Sequence, residues 1–346
     1  MTHRKLLITA LAVFTLTLVS EGSWMQWAGA FNRNGEILEA SLRSAQSWTI
    51  KQPDTEPVTL VAFGDLMLGR YVWQLMEKNG HDYPFEHFPE LLGEMLSDPA
   101  NQTPAPIPKP DFIFANLEGP ISDNPYVNPG TAMVFNFKPA VLDTLKKFGF
   151  NLLNLANNHA YDMGEDGMRQ TRQYLTDAGI HHFGDAKGLR PETTWTTTVK
   201  DTTLTFFGLN DTLKNRLDFD EVNDRIRVAE DTADFTIVTI HWGTEYQHEP
   251  NQKQIEAAHA MVDAGADLII GHHPHVIQSN EIYHGAPIYY SLGNFIFDQY
   301  FQQDVQEGLG LAVTLKKSLD PRVPDTLEVK ETVFDIVKSQ AKVRAF

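Results

Sequence analysis

Side chains that can bind a metal ion or move a proton occur in five short groups, each close behind an apolar, strand-like run. The groups combine carboxylates, amides and imidazoles, which are ligands for Mn²⁺, Fe and Zn²⁺. In open α/β sheets, ligands gather beyond the carboxyl ends of the strands, so these ends can converge on one crevice. The groups are Asp65, Asn116 with Glu118, Asn157–His159, His241–Gly243 and His272–His275.

The segment His272-His273-Pro274-His275 carries the clearest metal-binding signal. Three imidazoles within four positions are costly to pack for structure alone, and neutral imidazole is the commonest protein metal ligand. A His-x-His spacing on a rigid loop can place two rings on one or two ions. A lone histidine such as His241, which follows the apolar run 235–240, is more often a hydrogen-bonded core residue.

The segment Asn157-Asn158-His159 places two amides and an imidazole behind the apolar run 152–155. An amide oxygen can ligate a metal, and the adjacent histidine can donate a proton to a leaving oxygen because its pKa lies near neutrality. An N-cap network for the next helix explains one asparagine but hardly both with the histidine. Convergent polar groups mark binding sites, so the segment favours function over capping.

The carboxylates and the arginine nearby have simpler alternatives. Asp65 follows a buried strand and a glycine, where aspartate commonly forms a turn. Glutamate is a poor turn residue and is rarely buried alone, so Glu118 favours a bound cation, with capping of an adjacent helix as the equal alternative. Arg70 can bind an anion beside Asp65 or form a surface ion pair.

An alternation of strands and helices is needed to bring these groups together. Periodic segments between the apolar runs predict helices, and this alternation implies a parallel or mixed sheet covered by helices. The predicted helices are 71–78, 85–96, 139–148, 166–178 and 252–264. Towards the C-terminus, a second sheet, mixed or antiparallel, is predicted from 281–283, 287–292, 310–316 and 326–333. The charge-rich segment 210–230 is interpreted as a solvated connector.

The composition describes a folded globular protein with strong negative charge. The chain has 346 residues, 42% of them hydrophobic, and a formal net charge of −17. This charge argues against nucleic acid as a partner, and it means that an anionic substrate needs a local cation such as a metal ion. The chain has no cysteine, which excludes disulfides, thiolate zinc sites and cysteine nucleophiles.

The N-terminal segment carries an export signal. His3-Arg4-Lys5 precedes the uncharged apolar run Leu6–Val19, which is shorter than the ~20 residues of a comfortable membrane span and suits a secretory h-region. We expect residues 1–30 to act as a signal peptide or signal anchor and 31–57 as a polar tether. The protein is then exported, and is periplasmic, extracellular or membrane-anchored. A buried N-terminal helix is the alternative.

Six sequence blocks together resemble the CapA family of bacterial capsule-synthesis proteins, within the calcineurin-like metallophosphatase superfamily. The blocks are Gly64–Arg70, Ala115–Pro120, Ala156–Ala160, His241–Tyr246, Gly271–Val276 with Gln278, and Ser291–Asp298. The resemblance implies an α/β fold for residues 58–346, a four-layer α/β/β/α sandwich of two mixed sheets flanked by helices. It also implies a role in capsule or poly-γ-glutamate biosynthesis.

Carried over by motif, the resemblance implies a site for one or two divalent ions, Mn²⁺, Fe or Zn²⁺. The implied metal ligands are Asp65, Glu118, Asn158, His241, His273 and His275, with His272 able to replace His273. His159 would be the proton donor or a phosphate-contacting histidine, and the catalytic set would be His159, Asp65 and Asn158. The expected substrate contacts are Arg70, Asn157, Trp242, Glu245, His272 and Asn294.

Two departures from the superfamily pattern leave the activity open. Met67 stands where an Asp-x-His pair has its histidine, and Asn116-Leu117-Glu118 stands in place of Gly-Asp. One hypothesis is a hydrolase of a phosphoester or a γ-glutamyl amide. A second is a factor that holds or passes poly-γ-glutamate or another anionic envelope polymer, with membrane capsule-synthesis subunits as partners. A third is an envelope scaffold with a degenerate site.

Overall fold

The structure is a computed structural model that describes residues 55–97, 109–125, 133–213 and 217–344. These residues form two mixed β-sheets with helices, an α/β fold. Within those ranges no helix combines the length and apolarity that a bilayer span requires. The expected signal segment 1–30, and the tether 31–57 apart from its last three residues, lie outside the described residues.

Strands and helices alternate through most of the described chain. The strands are β1 (Val58–Leu66), β2 (Phe112–Leu117), β3 (Leu152–Asn154), β4 (His181–Phe183), β5 (Thr194–Val199), β6 (Thr202–Asn210), β7 (Phe235–His241), β8 (Leu268–His272), β9 (Asn280–Tyr283), β10 (Ala286–Tyr289), β11 (Asn294–Ile296), β12 (Glu307–Lys316), β13 (Thr326–Val337) and β14 (Gln340–Val343). The α-helices are α1 (Arg70–Asn79), α2 (Phe88–Leu96), α3 (Val141–Lys147), α4 (Gly164–Ala178), α5 (Phe219–Glu230) and α6 (Gln252–Asp263). Short 3₁₀ helices cover Tyr83–Phe85, Pro191–Thr193 and Asp304–Gln306.

Both sheets are parallel in the middle and antiparallel at one or both edges. The first has the order β14-β13-β12-β1-β2-β3-β4, and β11 pairs in parallel with the end of β1. Its strands β1 to β4 are parallel, while β12 to β14 are antiparallel. The second has the order β5-β6-β7-β8-β10-β9, with β5 and β9 antiparallel to their neighbours.

The C-terminal strands do not form the separate sheet that the sequence predicted. β9 and β10 join the second sheet, but β12 and β13 extend the first sheet. The reason is the open edge of β1, against which β12 pairs over the full run from Val58 to Ala62. Most of the second sheet comes from β5 to β8 in the middle of the chain.

The five predicted helices are confirmed, with ends shifted by at most three residues. The interpretation of 210–230 as a connector is wrong, because α5 occupies its second half. Asp218 caps α5 by accepting hydrogen bonds from the amides of Asp220 and Glu221. Its apolar residues Val222 and Ile226 lie one turn apart and pack onto the second sheet, a period that the many charged residues obscure.

Three apolar clusters surround and separate the two sheets. The first joins the first sheet to α1 through α4, the second contains side chains of both sheets, and the third joins the second sheet to α5 and α6. Side chains of β1 alternate accordingly, because Val61 and Phe63 lie in the first cluster and Leu60 and Ala62 in the second. Strands buried on both faces can expose polar side chains only at their ends.

Candidate metal centre

The carboxyl ends of β1, β2, β3, β7 and β8 meet, as the sequence predicts. Asn116 at the end of β2 donates from Nδ2 to Asp65 Oδ1 of β1 at 2.8 Å, and the same nitrogen lies 3.3 Å from His241 Nδ1 of β7. His241 Nε2 in turn lies 2.7 Å from Asn158 Oδ1, which follows β3. His273, directly after β8, donates its backbone N–H to Asp65 Oδ2 at 3.2 Å. Side chains of both sheets therefore form one polar network.

Asp65 is the centre of this network and is fully buried. Its Oδ2 lies 3.2 Å from His275 Nδ1 and its Oδ1 lies 3.5 Å from His272 Nδ1. Burial alone would raise the pKa of Asp65, but the hydrogen bond with His275 and the charges of the surrounding imidazoles hold it well below its usual value. Gly64 permits this position, since a Cβ there would lie 1.9 Å from the carbonyl oxygen of Gly293.

Glu118 is a fully buried carboxylate, and neither of its oxygens has a hydrogen-bond partner among the residues that the structure describes. Its Oε1 lies 3.6 Å from Nε2 of His275. Burial raises the pKa of Glu118 well above its ordinary value, and the charge of His275 offsets this only in part. An ionised group without partners is expensive inside a protein unless it is paired or binds a metal, so Glu118 marks a place for a cation.

The turn after β8 holds two histidines in a strained backbone conformation. His273 has φ = +98° and His275 has φ = +58°, the left-handed region that residues other than glycine rarely occupy. Such residues cost on the order of 1–3 kcal/mol each and persist where the surrounding structure holds them. Tyr246 stabilises the turn by donating its backbone N–H to the carbonyl of Pro274 at 2.8 Å. This backbone conformation orients both imidazoles toward the crevice, where a ring nitrogen of each lies in the same set of possible metal ligands.

Two neighbouring sets of three residues have the geometry of metal ligands. In each set, one ligand atom from every residue lies within 4.8 Å of the others. The rings of His241 and His273, one from each set, have centroids 4.8 Å apart. Carboxylate oxygens and imidazole nitrogens fit a divalent ion, and the buried Nδ1 of His273 has no hydrogen-bond partner. The sets are Asp65, Glu118, His241 and Glu245, His273, His275.

The electrostatics of the crevice favour positive charge. Burial alone would lower the pKa of His275, but the carboxylates of Glu118 and Asp65 outweigh it and raise the pKa to about 9. Burial lowers the pKa of His272 to about 4, and burial together with the neighbouring His275 does the same for His273. Neutral imidazoles with free lone pairs are the form that binds metals. The same carboxylates that attract a proton to His275 would attract a cation.

Comparison with known proteins shows the family to which the chain belongs. Residues 59–299 match the family described as bacterial capsule synthesis protein PGA_cap. The chain belongs to this PGA_cap family. It is 31% identical over 270 residues to the capsule biosynthesis protein CapA of Bacillus anthracis, which covers 72% of this chain and 62% of that protein. It is 32% identical over 274 residues to the PGA biosynthesis protein CapA of Bacillus subtilis, which covers 74% of this chain and 67% of that protein.

A more distant relative extends the PGA_cap comparison. A probable polyglutamine synthesis accessory protein of Mycobacterium tuberculosis is 25% identical over 290 residues, or 70% of this chain and 74% of that protein. The chain spans about two thirds of the length of the two Bacillus relatives. The CapA resemblance of the sequence blocks is thereby confirmed, and the matched residues include every strand end of the crevice.

His159 of the PGA_cap site is held in place by two neighbours. Its Nδ1 lies 2.7 Å from Asp162 Oδ2, and its ring stacks on Phe135 with centroids 4.0 Å apart. Asp162 also accepts the backbone N–H of Phe135 at 2.7 Å, so the carboxylate fixes both layers of the stack. Sequence reasoning gave Asp162 no role. Its spacing of three residues from His159, in the same turn, is the signal that could have identified it.

Three predicted substrate contacts of the PGA_cap site are buried and hydrogen-bonded to neighbouring groups of the protein. Trp242 is 1% exposed and donates its Nε1–H to the carbonyl of Tyr290 within the third apolar cluster. Asn157 is buried and donates its Nδ2–H to the carbonyl of Leu117 at 2.8 Å. Asn294 is buried, and its Oδ1 lies 3.0 Å from Nδ1 of His275. These polar atoms help to hold the frame of the site, and the substrate contacts assigned to the three residues stay predictions.

The other predicted contacts of the PGA_cap site differ in accessibility. Glu245 is exposed, and its carboxylate reaches His273 and His275. Arg70 is one-third exposed and donates from Nε to Asp298 Oδ2 at 3.1 Å, while its guanidinium lies 5.3 Å from the Phe135 ring centre. His272 is fully buried, and neither ring nitrogen has a hydrogen-bond partner. Arg70 and Glu245 can therefore meet a substrate, whereas His272 faces the interior of the site.

Proposed function

We propose that this PGA_cap protein is an exported, metal-dependent hydrolase of capsule or poly-γ-glutamate biosynthesis. The carrying observation is Glu118, whose two buried oxygens have no hydrogen-bond partner among the described residues, while Nε2 of His275 lies 3.6 Å away and a nitrogen of His241 lies within 4.8 Å. A four-layer sandwich of the metallophosphatase type is part of the proposal, supported by the three apolar clusters that alternate with two mixed sheets. Poly-γ-glutamate or another anionic envelope polymer would be the partner, with membrane capsule-synthesis subunits nearby.

The ligands would come from Asp65, Glu118, Asn158, His241, His273 and His275, with Glu245 added by the structure. Mn²⁺, Fe or Zn²⁺, one ion or two, suits this mixed donor set. The chemistry that such an ion supplies is activation of water and polarisation of a phosphoryl or carbonyl oxygen. The negative charge of the chain makes a bound cation the natural attraction for an anionic substrate.

His159 would hand a proton to the leaving oxygen or nitrogen. Its Nδ1 is held by Asp162, so Nε2 is the nitrogen left for the substrate. Asp162 would stabilise the imidazolium and fix its orientation, as a carboxylate does for a catalytic histidine. Phe135 restricts the ring to one plane. The substrate bond would be a phosphoester or a γ-glutamyl amide.

One observation favours a second function, a non-catalytic metal-containing factor for polymer binding or export, or an envelope scaffold. Met67 occupies the place where an Asp-x-His pair has its second ligand. Its side chain is fully buried, and its sulfur accepts the backbone N–H of Gly69 at 3.2 Å. The first set of ligands is then one imidazole short, which weakens a two-metal site.

Metal analysis of the full chain tests the proposal. Mass spectrometry should find one or two divalent ions per chain, and His275→Ala should lose most of this metal. His284→Ala is the matched control, since His284 is an exposed histidine bonded to Asp263 away from the crevice. Release of product from phosphoesters or γ-glutamyl amides by the loaded protein distinguishes the hydrolase from the binding factor. A wild-type chain that binds no Mn²⁺, Fe²⁺ or Zn²⁺ contradicts both.

A further inference from the structure

A cavity of about 450 Å³ lies close to the stacked rings of Phe135 and His159, at the edge of the candidate metal centre. Arg70 forms one wall, and its guanidinium lies 5.3 Å from the centre of the Phe135 ring. His159, the proposed proton donor, packs on the same phenylalanine, and the centroids of the two rings lie 4.0 Å apart. Phe135 is buried and does not line the cavity, so Arg70 is the residue that links the cavity to the ring stack beside the proposed proton donor. The volume is within the range of about 300–1,000 Å³ typical of small-molecule sites.

Positive charge distinguishes this cavity. Asp298 neutralises Arg70 and also accepts the backbone N–H of Tyr71 at 3.1 Å, so this carboxylate is satisfied. Lys138 also lines the cavity, is exposed and has no ion pair within the described part of the chain. Arg70, Lys138 and Asp298 together leave one net positive charge. That is unusual in a chain with a net charge of −17.

Two other cavities in the described structure are acidic. A cavity of about 500 Å³ beside α5 is lined by Glu221, Asp224 and Arg225, which leaves one net negative charge. A cavity of about 620 Å³ is lined by four carboxylates and no lysine or arginine. These four are Glu230, Asp234, Asp267 and Asp325. An anionic ligand would be repelled from both and attracted to the cavity beside Phe135.

The other residues that line the cavity suit a polymeric ligand that is both acidic and partly apolar. Tyr71 and Val134 offer apolar surface, and the exposed side-chain amide of Gln74 has no hydrogen bond within the described residues. Asn136 forms a fixed part of the wall, because it donates to the carbonyl of Asn124 and accepts from Ser122. A γ-glutamyl unit presents a free carboxylate, two methylene groups and an amide, which match Lys138, Tyr71 with Val134, and Gln74.

We propose that this cavity is a subsite that binds one carboxylate-bearing unit of a γ-glutamyl chain, next to the unit at the metal centre. This inference rests on the proposed function. Lys138 pairs with the free carboxylate of the bound unit, Gln74 bonds its amide, and Tyr71 covers its methylene groups. The subsite fixes the register of the polymer relative to His159. A single exposed ion pair contributes little, so recognition depends on the pair acting together with these neighbouring contacts.

Binding of a synthetic γ-linked glutamate hexamer to the full chain tests the subsite by titration calorimetry. Lys138→Glu should weaken binding by about tenfold or more, because repulsion replaces a charge-assisted bond. Lys138→Arg should stay within about threefold of wild type. Lys146→Glu is the matched control, since Lys146 is an exposed lysine on α3 outside the cavity and its replacement changes the net charge equally. It should change affinity by less than about twofold.

The hexamer with its free carboxylates converted to amides should not respond to Lys138→Glu. Equal weakening by Lys138→Glu and Lys146→Glu, or undiminished binding of the amidated hexamer, would overturn the subsite, as would a wild type that does not bind the hexamer. Metal content measured on the same samples separates the two proposals. If the chain retains metal but does not bind the hexamer, only the subsite proposal is contradicted. If a chain without metal binds the hexamer and this binding depends on Lys138, only the proposal of a metal-dependent hydrolase is contradicted.

Discussion

The two ends of the parallel strands use similar polar residues for opposite purposes. At the amino ends, every polar side chain that directly precedes β2, β3, β7 and β8 accepts a backbone N–H from the neighbouring strand at 2.7 to 2.8 Å. The residues are Asp111, Asn151, Asp234 and Asp267. Each also donates its own N–H to the carbonyl of the same neighbouring residue. These groups are satisfied by the sheet itself.

At the carboxyl ends, by contrast, the sheet does not supply a hydrogen-bond partner for every buried polar group of the described residues. Within the described part of the chain, Glu118, His272 and His273 keep buried atoms with no hydrogen bond, although Asp65, Asn116 and His241 bond to each other. A folded protein normally satisfies its buried polar groups, and exceptions call for an unseen ion or a functional role. The contrast teaches that a buried carboxylate by itself says little. What distinguishes a site is a carboxylate whose strand offers it no partner.

The largest effect is expected from Glu118→Gln. Without metal, burial disfavours the ionised form of Glu118, as its raised pKa shows, and glutamine has no charge to bury, so the free energy of unfolding in excess chelator at pH 8 should rise by about 1–3 kcal/mol. With saturating Mn²⁺ the order should reverse, because the variant loses a ligand and at least about tenfold in metal affinity. Denaturant unfolding in chelator and in Mn²⁺ measures the crossover. Glu77→Gln, which changes an exposed residue of α1, is the control. If Glu118→Gln changed the free energy of unfolding equally in chelator and in Mn²⁺, Glu118 would not be a metal ligand.

A smaller, pH-dependent effect is expected from Asp267→Asn at the opposite end. Burial raises the pKa of Asp267 to about 6, and the hydrogen bond from Thr236 opposes this only in part. A raised pKa means that folding favours the protonated form, so stability is lost as the pH rises from about 4 through 6. The asparagine variant keeps an oxygen acceptor but has no charge to bury. It should exceed wild type by about 1 kcal/mol at pH 8, with little difference at pH 4.

Denaturant unfolding at both pH values checks this prediction. Asp231→Asn changes an exposed aspartate just after α5 and should show no such pH dependence. If the free energies of unfolding of Asp267→Asn and wild type differed equally at pH 4 and pH 8, burial would not destabilise the ionised carboxylate of Asp267. Metal content should stay at the wild-type level in both variants, which separates the two strand ends.

The smallest effect is expected from Lys200→Ala. Lys200 pairs with Asp111 at 2.8 Å but is one-third exposed, and surface ion pairs contribute about 0–1 kcal/mol. Asp111→Ala should cost more, about 1–3 kcal/mol, because it leaves the N–H of Thr59 without its partner. Unfolding at low and high salt compares them. If the lysine variant were the more damaging, the ion pair rather than the backbone bond would hold this end of the sheet.

Much of the framework could be predicted because its signals are local. Apolar runs such as 235–240 and helices such as 139–148 depend on periodicity and on nearby proline and glycine, and these elements are present within a few residues. The helix α5 was missed because its apolar face is spread among charged residues. The pairing of β12 with β1 was missed because it joins segments about 250 residues apart, as Thr59 and Thr314 show.

The same division holds within the site. Spacing alone identified which side chains follow the strands, including Asp65, Glu118 and His273. It could not separate Trp242 and Asn157, whose side-chain nitrogens donate to backbone carbonyl groups, from Arg70, which stays accessible. Burial and hydrogen bonding depend on which segments fold against each other, so roles assigned to neighbours in a motif can differ.

The sequence by itself determined that this chain alternates strands and helices, places metal-ligand types behind five strands and shares the blocks of the PGA_cap family. Only the tertiary structure decided that those ends come from two different sheets and that Arg70 forms an ion pair with Asp298. It also decided that neither carboxylate oxygen of Glu118 has a hydrogen-bond donor among the described residues. The physical reason is that ligand types are a property of local sequence, whereas an unsatisfied buried charge is a property of everything packed around it.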